Sequence, residues 1–193
     1  MIKTIIFDFD GTLADCKKLH QDAFRGAIKQ LCPEAEYKDA DVEGRPTTEK
    51  IKIMHTLGYQ FNGDKLNQIK QSITQDNLYK YVSYNDELYS EMLRLSKKYK
   101  LCLASNATEL FVHRSLKILK IEDLFLKINT ATDFPAKPDT TTFINCMNIT
   151  DSNPTTTLIF EDSEIGIQGA KSVTSNVIEV IDVQDTITQM KKL

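Results

Sequence analysis

The first twelve residues constrain the fold and the chemistry of this chain more than any other stretch. Residues 2–7 carry a short apolar run of the kind that fills a fully buried strand. The run ends in Asp8 and Asp10, and Gly11 follows where the chain must turn. Because residues two apart on a strand point to the same side, both carboxylates project together from the strand end. Like charges this close repel each other unless a cation or a proton lies between them, so the segment predicts a functional site.

An acidic turn and a calcium loop are two other interpretations of this segment. An isolated Asp-x-Asp is more often a solvated turn at the end of a strand, so the pair alone does not establish a site. A calcium loop of the EF-hand type needs Gly at its sixth position and Glu at its twelfth. Counted from Asp8, these positions hold Leu13 and Leu19, which excludes the calcium loop.

The length and composition are those of a soluble globular protein. A chain of 193 residues suits one core domain with a modest insertion. The net charge of −3 and the lack of a basic run argue against a nucleic-acid partner. The sequence has no signal peptide and no apolar stretch long enough to span a bilayer, so we expect a cytoplasmic protein without a membrane partner. Nothing in the sequence requires more than a monomer.

The cysteines indicate a reducing compartment. None of the four has CxxC or metal-ligand spacing, which predicts reduced thiols that pack as small apolar side chains. Cys16 is distinguished only by its closeness to the acidic motif.

From residue 85 onward, apolar strands alternate with amphipathic helices. This alternation predicts an α/β fold, in which a parallel sheet carries helices on both faces. The segments expected as strands are residues 101–104, 124–128, 157–160 and 177–181. Together with the first strand they define an α/β core domain that comprises residues 1–14 and 85–193.

The spacing of apolar residues predicts a second, helical region over residues 15–84. About ninety residues separate the first two strands, whereas one crossover needs only a dozen or more. Apolar spacing predicts a helix over residues 17–31, and Thr47 or Thr48 is placed to cap the next helix, which Gly58 ends. A third helix follows the Asn62-Gly63 turn. We therefore expect an all-helical cap domain inserted over the carboxyl edge of the sheet.

Charged and polar residues that could take part in catalysis or ligand binding follow several of the predicted strands. In an open α/β sheet, ligands bind outside the carboxyl ends of the strands, so these positions should converge. Each group alone has an ordinary structural explanation as a helix cap, a surface lysine or an acidic turn, and only their joint occurrence argues for a site. In chain order the groups are Asp8 and Asp10, Ser105-Asn106, Lys137-Pro138, and Glu161-Asp162.

These four groups resemble the four motifs of the haloacid dehalogenase (HAD) superfamily, in order and in residue type. Asp8-Phe9-Asp10-Gly11-Thr12 is similar to the first motif. Glu161-Asp162-Ser163, followed by Gly166-Ile167, is similar to the branch with a small helical cap that contains relatives of β-phosphoglucomutase and phosphoglycolate phosphatase. The resemblance covers the whole chain and implies a Rossmann-like HAD core. Haloacid dehalogenases themselves lack the second acid of the first motif, so Asp10 favours phosphoryl transfer.

The resemblance implies a catalytic role for both acids of the first motif. Asp8 would be the nucleophile that forms an aspartyl-phosphate, and its ordinary pKa of about 3.9 makes it ionised near neutrality. Asp10 would act as general acid and then as general base. The expected Mg²⁺ would be held by Asp8, the Asp10 backbone carbonyl and Asp162, with Glu161 either a further ligand or an outer partner.

Ser105, Asn106 and Lys137 are the expected phosphate-binding residues. A phosphate dianion with the carboxylates of Asp8 and Asp162 carries four negative charges, whereas Mg²⁺ and Lys137 return three positive ones. The remaining charge calls for backbone N–H groups near Phe9 and Asn106, or for a cation from the cap.

His20 and Gly44 fall at positions that resemble those where β-phosphoglucomutase-like caps carry a histidine and a loop glycine, and Arg45 is a further candidate for substrate contact. The mutases have basic residues around the glycine to hold a second phosphate, but here Glu43 precedes Gly44 and only Arg45 is basic. A phosphatase of a small phosphorylated metabolite is therefore favoured over a phosphomutase. A non-catalytic regulator that binds Mg²⁺ or phosphate is a third hypothesis, and such a protein has no need for Asp10. His20 has an equally good explanation as a polar residue on a helix face.

Two glycines fall inside the helix predicted after Glu161-Asp162. Each costs about 1 kcal/mol relative to Ala within a helix. We expect Gly166 and Gly169 to allow close packing of that helix against the sheet.

Overall fold

The computed structural model describes residues 1–42 and 45–193. The chain divides into two compact units, one formed by Met1–Cys16 with Val82–Leu193 and the other by Lys17–Tyr81. Gly44, expected to contact substrate, lies outside the described residues, as does its neighbour Glu43.

The first unit is built on a five-stranded sheet with the strand order β3-β2-β1-β4-β5. All neighbouring strands are parallel, which confirms the predicted α/β fold. The strands are β1 (Thr4–Phe7), β2 (Lys100–Ala104), β3 (Lys127–Asn129), β4 (Thr157–Glu161) and β5 (Val177–Glu179).

The helices of the two units follow one another along the chain. In the second unit they are α1 (Lys17–Leu31), α2 (Asp39–Val42), α3 (Thr47–Thr56) and α4 (Gly63–Asn77). In the first unit they are α5 (Asp86–Ser96), α6 (Glu109–Leu119), α7 (Thr141–Ile149), α8 (Glu164–Val173) and α9 (Val183–Met190).

Strand β1 is the central strand of the sheet, and three of its four residues are apolar. All of its residues are buried, and it pairs with β2 on one side and with β4 on the other. Ile6 packs in a buried cluster with Phe143 of α7 and Ala170 of α8, while Phe7 stacks on Phe160 with ring centroids 4.9 Å apart. Each such buried side chain contributes about 1.5–3 kcal/mol to folding, so the position of β1 is strongly determined.

The second unit is a helical assembly with its own core. Helices α1, α3 and α4 bury apolar residues from the stripes seen in the sequence. Gly58 has a φ of +96° directly after α3, which confirms it as the stop of that helix. The buried cluster consists of Phe24, Ala27, Ile28, Val42, Met54 and Leu66.

The prediction that Thr47 or Thr48 caps helix α3 is wrong. The N-cap residue is Pro46, and it makes no side-chain capping bond. Thr47 is already the first helical residue, because the fixed φ of the proline before it suits the entry to a helix.

The expected strand over residues 124–128 is displaced in the structure. Glu122–Leu124 forms a 3₁₀ turn, closed by a hydrogen bond from Leu124 N–H to the Ile121 carbonyl oxygen. Strand β3 therefore begins only at Lys127, and it pairs with β2 alone at the edge of the sheet.

Among the residues that the structure describes, no helix combines the length and the apolar character needed to cross a membrane.

Candidate active site

The parallel register brings three strand ends to one edge of the sheet. Phe7 is level with Leu103 of β2 and with Phe160 of β4. The Asp8 N–H donates to the Phe160 carbonyl oxygen at 2.9 Å, so Asp8 lies beside the end of β4 where Glu161 stands. The sequence singled out both of these acids, and the sheet places them next to each other.

Lys137 links these two acids through its ammonium group. Its Nζ lies 2.5 Å from Oδ1 of Asp8 and 2.6 Å from Oε2 of Glu161. All three side chains are buried, with Glu161 fully removed from solvent. The ring of Phe143 lies with its centroid 5.7 Å from Nζ, within the range of a cation–π interaction. One positive charge between two carboxylates leaves the buried group anionic, which favours uptake of a proton or a cation.

The pKa values of this group follow from burial and from its charges. Burial, and then the charge of Glu161, raise the pKa of Asp8 well above its usual range, although Lys137 acts in the opposite direction. Asp8 in the metal-free protein is thus harder to ionise than the sequence alone suggested. Burial lowers the pKa of Lys137, but Asp8 and Glu161 outweigh it and raise the value to about 12. Lys137 therefore stays charged at any physiological pH.

The second oxygen of Glu161 binds the start of helix α8. Oε1 accepts a hydrogen bond from the Ser163 hydroxyl at 2.9 Å and from the Ser163 N–H at 3.2 Å. Ser163 is also the N-cap of α8, since its Oγ accepts from the Gly166 N–H at 3.1 Å. Both carboxylate oxygens of Glu161 are thus held in defined directions.

Among the described residues, one group of three acids has the spacing of a metal site. Asp8, Glu161 and Asp162 offer carboxylate oxygens that all lie within 4.8 Å of one another. Hard oxygen donors at this spacing suit Mg²⁺, which binds through few carboxylates together with phosphate and water. The donor set fits that ion. The donor expected from Asp10 is its backbone carbonyl, which stays a prediction.

Asp10 lies in the tight loop that follows β1. Its Oδ1 accepts from the Cys16 N–H at 2.9 Å, which sets the direction of the carboxylate. Gly11 has a φ of +94°, and a Cβ atom built on it would lie 2.1 Å from Oδ2 of Asp162. Only glycine fits there, and its absent side chain lets the loop approach the loop after β4.

The Cys16 side chain is buried beside this loop. Burial, and then the charges of Asp10 and Asp15, raise the pKa of its thiol. The group is therefore a neutral thiol, and its contribution to the loop is the backbone N–H.

Ser105 and Asn106 follow β2 at the same edge of the sheet. The Ser105 side chain is buried, and its Oγ accepts from the Ala107 N–H at 3.1 Å. Asn106 Oδ1 accepts from the Lys137 N–H at 2.7 Å, and its Nδ2 donates to the Lys137 carbonyl oxygen at 3.4 Å. The Asn106 amide thus holds the backbone of the lysine, a role that its residue type did not reveal.

The family follows from the sequence as a whole. The sequence model of the haloacid dehalogenase-like hydrolases matches residues 5–180, which is most of the chain. The protein belongs to this family. The HAD assignment made from the motifs is therefore confirmed.

Several known proteins are similar to this chain along most of their length. Phosphoglycolate phosphatase from Aquifex aeolicus is 25% identical over 171 residues, covering 88% of this chain and 80% of the relative. The phosphorylated carbohydrates phosphatase from Thermotoga maritima is 25% identical over 186 residues, covering 89% and 81%. A crystal structure of β-phosphoglucomutase from Clostridium difficile has a TM-score of 0.79 at 21% identity, covering 96% and 87%.

The expected substrate residues of this HAD protein lie in the second unit. His20 is on α1, and Arg45 precedes α3, where its Nη1 lies 3.7 Å from Oε2 of Glu49. Their contact with substrate stays a prediction.

The sequence did not reveal that Phe143, Ser163 and Gly166 contact the charged residues of the site. Phe143 was not singled out from the sequence, and Ser163 was named only as part of a motif. The spacing of Ser163 from Gly166 does fit an N-cap, which is the signal that could have revealed it. Gly166 lies against the carboxylate of Glu161, the last residue of β4, which fits the predicted packing of this helix against the sheet.

Proposed function

We propose that this protein is a Mg²⁺-dependent phosphatase that hydrolyses a small phosphorylated metabolite through an aspartyl-phosphate at Asp8. The observation that carries the proposal is the buried bridge of Lys137 between Asp8 and Glu161, with Asp162 in the same group of acids. A lysine held against a buried carboxylate at a strand end is suited to the neutralisation of an incoming phosphate.

In the first step, Asp8 attacks the phosphorus atom of the ester. Lys137 holds Oδ1 of Asp8, so we assign Oδ2 as the attacking oxygen. The new bond joins Oδ2 to phosphorus, and the bond from phosphorus to the ester oxygen breaks. A protonated Asp10 gives its proton to the departing oxygen, so that the product leaves as an alcohol.

In the second step, water replaces the aspartate on phosphorus. Asp10 accepts a proton from the attacking water, the Oδ2–phosphorus bond breaks, and inorganic phosphate leaves. Asp8 is restored as a carboxylate and Asp10 as an acid. The hydrogen bond from Cys16 N–H to Asp10 Oδ1 orients the acid for both transfers.

Asp8 and Asp162 would hold Mg²⁺ through carboxylate oxygens, and the backbone carbonyl of Asp10 is the third expected donor. Glu161 would act as an outer partner, because its oxygens are engaged by Lys137 and Ser163. The ion would supply positive charge to the phosphate oxygens as negative charge develops on them. The hydroxyl of Ser105 and the N–H groups near Asn106 would bind those oxygens as well.

A phosphomutase is the second candidate function, favoured by the likeness to β-phosphoglucomutase in fold. Both curated relatives described above are named as phosphatases, and Arg45 is the lone basic residue around Gly44. A mutase would convert one sugar phosphate into its isomer without net release of inorganic phosphate.

Release of phosphate from a panel of phosphate esters, measured with Mg²⁺ and with EDTA, tests the proposal. We expect Mg²⁺-dependent release that falls to background in Asp8→Asn and persists in Asp182→Asn, a change at the N-cap of α9. Release that survives in folded Asp8→Asn, or that needs no divalent ion, would contradict it. Isomerisation without release would select the mutase.

Binding of Mg²⁺ has its own readout in thermal melting, which separates an enzyme from a non-catalytic regulator. At a hundred times the dissociation constant, a ligand stabilises the folded state by about 2.7 kcal/mol. For a chain of this size the melting temperature should rise by about 5–10 °C. We expect this rise in the wild type and in Asp182→Asn but not in Asp162→Asn. A regulator would show the rise without any release of phosphate.

A further inference from the structure

Gly166 lies in α8 directly against the carboxylate of Glu161. A Cβ atom built on Gly166 would lie 2.1 Å from Cδ of Glu161 and 2.3 and 2.4 Å from its two oxygens. These separations are far inside van der Waals contact, so no residue with a side chain fits while Glu161 keeps its position.

Glu161 is held so that it cannot move aside without losing bonds. Oε2 binds Lys137 at 2.6 Å, and Oε1 accepts from the Ser163 hydroxyl at 2.9 Å. The residue is completely buried, so water offers no replacement for either bond. A methyl group at position 166 would therefore displace the Glu161 carboxylate and so disturb its bond to Lys137.

The neighbouring glycines differ from Gly166 in ways that matter. A Cβ atom on Gly169 would meet the Pro138 carbonyl oxygen at 3.0 Å and the Phe143 ring at 3.3 Å, so Gly169 allows close packing of α8 against Pro138 and α7. Gly11 lies against Asp162 but has a φ of +94°, so any substitution there is also strained in its backbone. Gly166 lies within the regular helix α8 without a positive φ, so its substitution in a cycle with Glu161 isolates the contact between the two residues.

We propose that Gly166 is a positioning residue for the reaction described under Proposed function. Its missing side chain makes the space in which the Glu161 carboxylate lies, and that carboxylate orients the ammonium group of Lys137 against Asp8. The catalytic consequence rests on the proposed function, whereas the steric coupling between positions 166 and 161 does not.

A double-mutant cycle of Gly166→Ala and Glu161→Ala tests this coupling by thermal melting and by kcat/KM. In the wild-type background, Gly166→Ala should lower the melting temperature, although Ala is the better helix former, and should lower kcat/KM by about tenfold or more. In the Glu161→Ala background the same change should raise the melting temperature and leave kcat/KM within about twofold, because the clash is gone.

Gly26→Ala in α1 is the matched control, since among the described residues its Cβ atom would meet only the flexible end of Ile73, at 3.0 Å. It should keep kcat/KM near the wild-type value. Equal effects of Gly166→Ala in the two backgrounds, or no effect in either, would overturn the proposal. If the wild type released no phosphate, the proposed function would fail, while the sign reversal in melting temperature would still decide the steric coupling.

Discussion

The lysine at position 137 is the residue on which the charge balance of the site depends. It is a buried cation bonded to two buried carboxylates, Asp8 and Glu161. A buried ion pair is weak evidence for net stability, but removal of one partner leaves an uncompensated charge in an apolar interior. Here the loss of the lysine would leave two such charges.

Lys137→Met should lower the free energy of unfolding by about 3–5 kcal/mol in EDTA, because Asp8 and Glu161 then repel each other without a counter-charge. Urea denaturation measures this change. Lys171→Met is the matched control, because it removes a lysine that pairs with Glu179 on the surface, where solvent screens the interaction. A loss for Lys137→Met as small as that for the control would contradict this account of the site.

At the scale of residues, the sequence predicted which side chains come together but not what each one touches. Asp8, Glu161 and Asp162 converge because parallel strands end at a common edge, and that much follows from the alternation of strands and helices. The packing of Gly166 on Glu161 depends on how α8 turns back onto the end of β4, and the hydrogen bonds of Asn106 to the Lys137 backbone join segments far apart in sequence. Residue type and spacing carry no such information, so the predicted packing of α8 against the sheet did not reveal that Gly166 lies on the Glu161 carboxylate.

Helix α8 is the element that connects the local structure to the site. Its N-cap, Ser163, accepts from the Gly166 N–H with its hydroxyl oxygen and donates its proton to Glu161. The same side chain thus satisfies a backbone N–H that has no partner within the first turn of the helix, and it also binds Glu161 of the acidic group.

Ser163→Ala should lower the free energy of unfolding by about 1 kcal/mol and also lower kcat/KM by about tenfold, because Glu161 loses its hydroxyl donor. Asp182→Ala removes the N-cap of α9, where the Asp182 side chain accepts from the Asp185 N–H at 2.7 Å. The control should lose comparable stability and keep its activity. Denaturation and steady-state kinetics on both variants measure this, and equal loss of activity would refute the special role of Ser163.

At the scale of elements, strong periodic patterns predicted helices well and weak ones predicted strand ends poorly. Helix α1 occupies residues 17–31 as expected, because its apolar stripe extends over four turns. Strand β3 starts three residues later than expected, because Leu124 belongs to a 3₁₀ turn that an apolar run does not distinguish from a strand. Pro46 replaces Thr47 as the N-cap of α3 for a similarly local reason.

For the whole molecule, the raised pKa of Asp8 links stability to pH. An acid whose pKa is higher in the folded state binds more protons there, so its contribution to stability falls as pH rises above its unfolded value of about 3.9. In EDTA, the stability of the wild type relative to Asp8→Asn should therefore decrease as pH rises from about 4. Urea denaturation across pH measures the difference.

Asp22→Asn provides a control of opposite sign. The hydrogen bond from Tyr81, and then that from Lys18, lower the pKa of Asp22, so its contribution to stability is present above the unfolded value and is lost as pH falls. The wild type should gain stability relative to this variant as pH rises. Slopes of the same sign for the two variants would contradict the assigned environment of Asp8.

In the proposed reaction, Asp8 itself becomes phosphorylated during turnover. Borohydride added during turnover reduces an aspartyl-phosphate to homoserine, and peptide mass spectrometry locates the changed residue. We expect homoserine at position 8, formed only when Mg²⁺ and a hydrolysed ester are both present and absent in Asp8→Asn. Turnover of the ester with position 8 unmodified, or with the modification at another residue, would contradict the account.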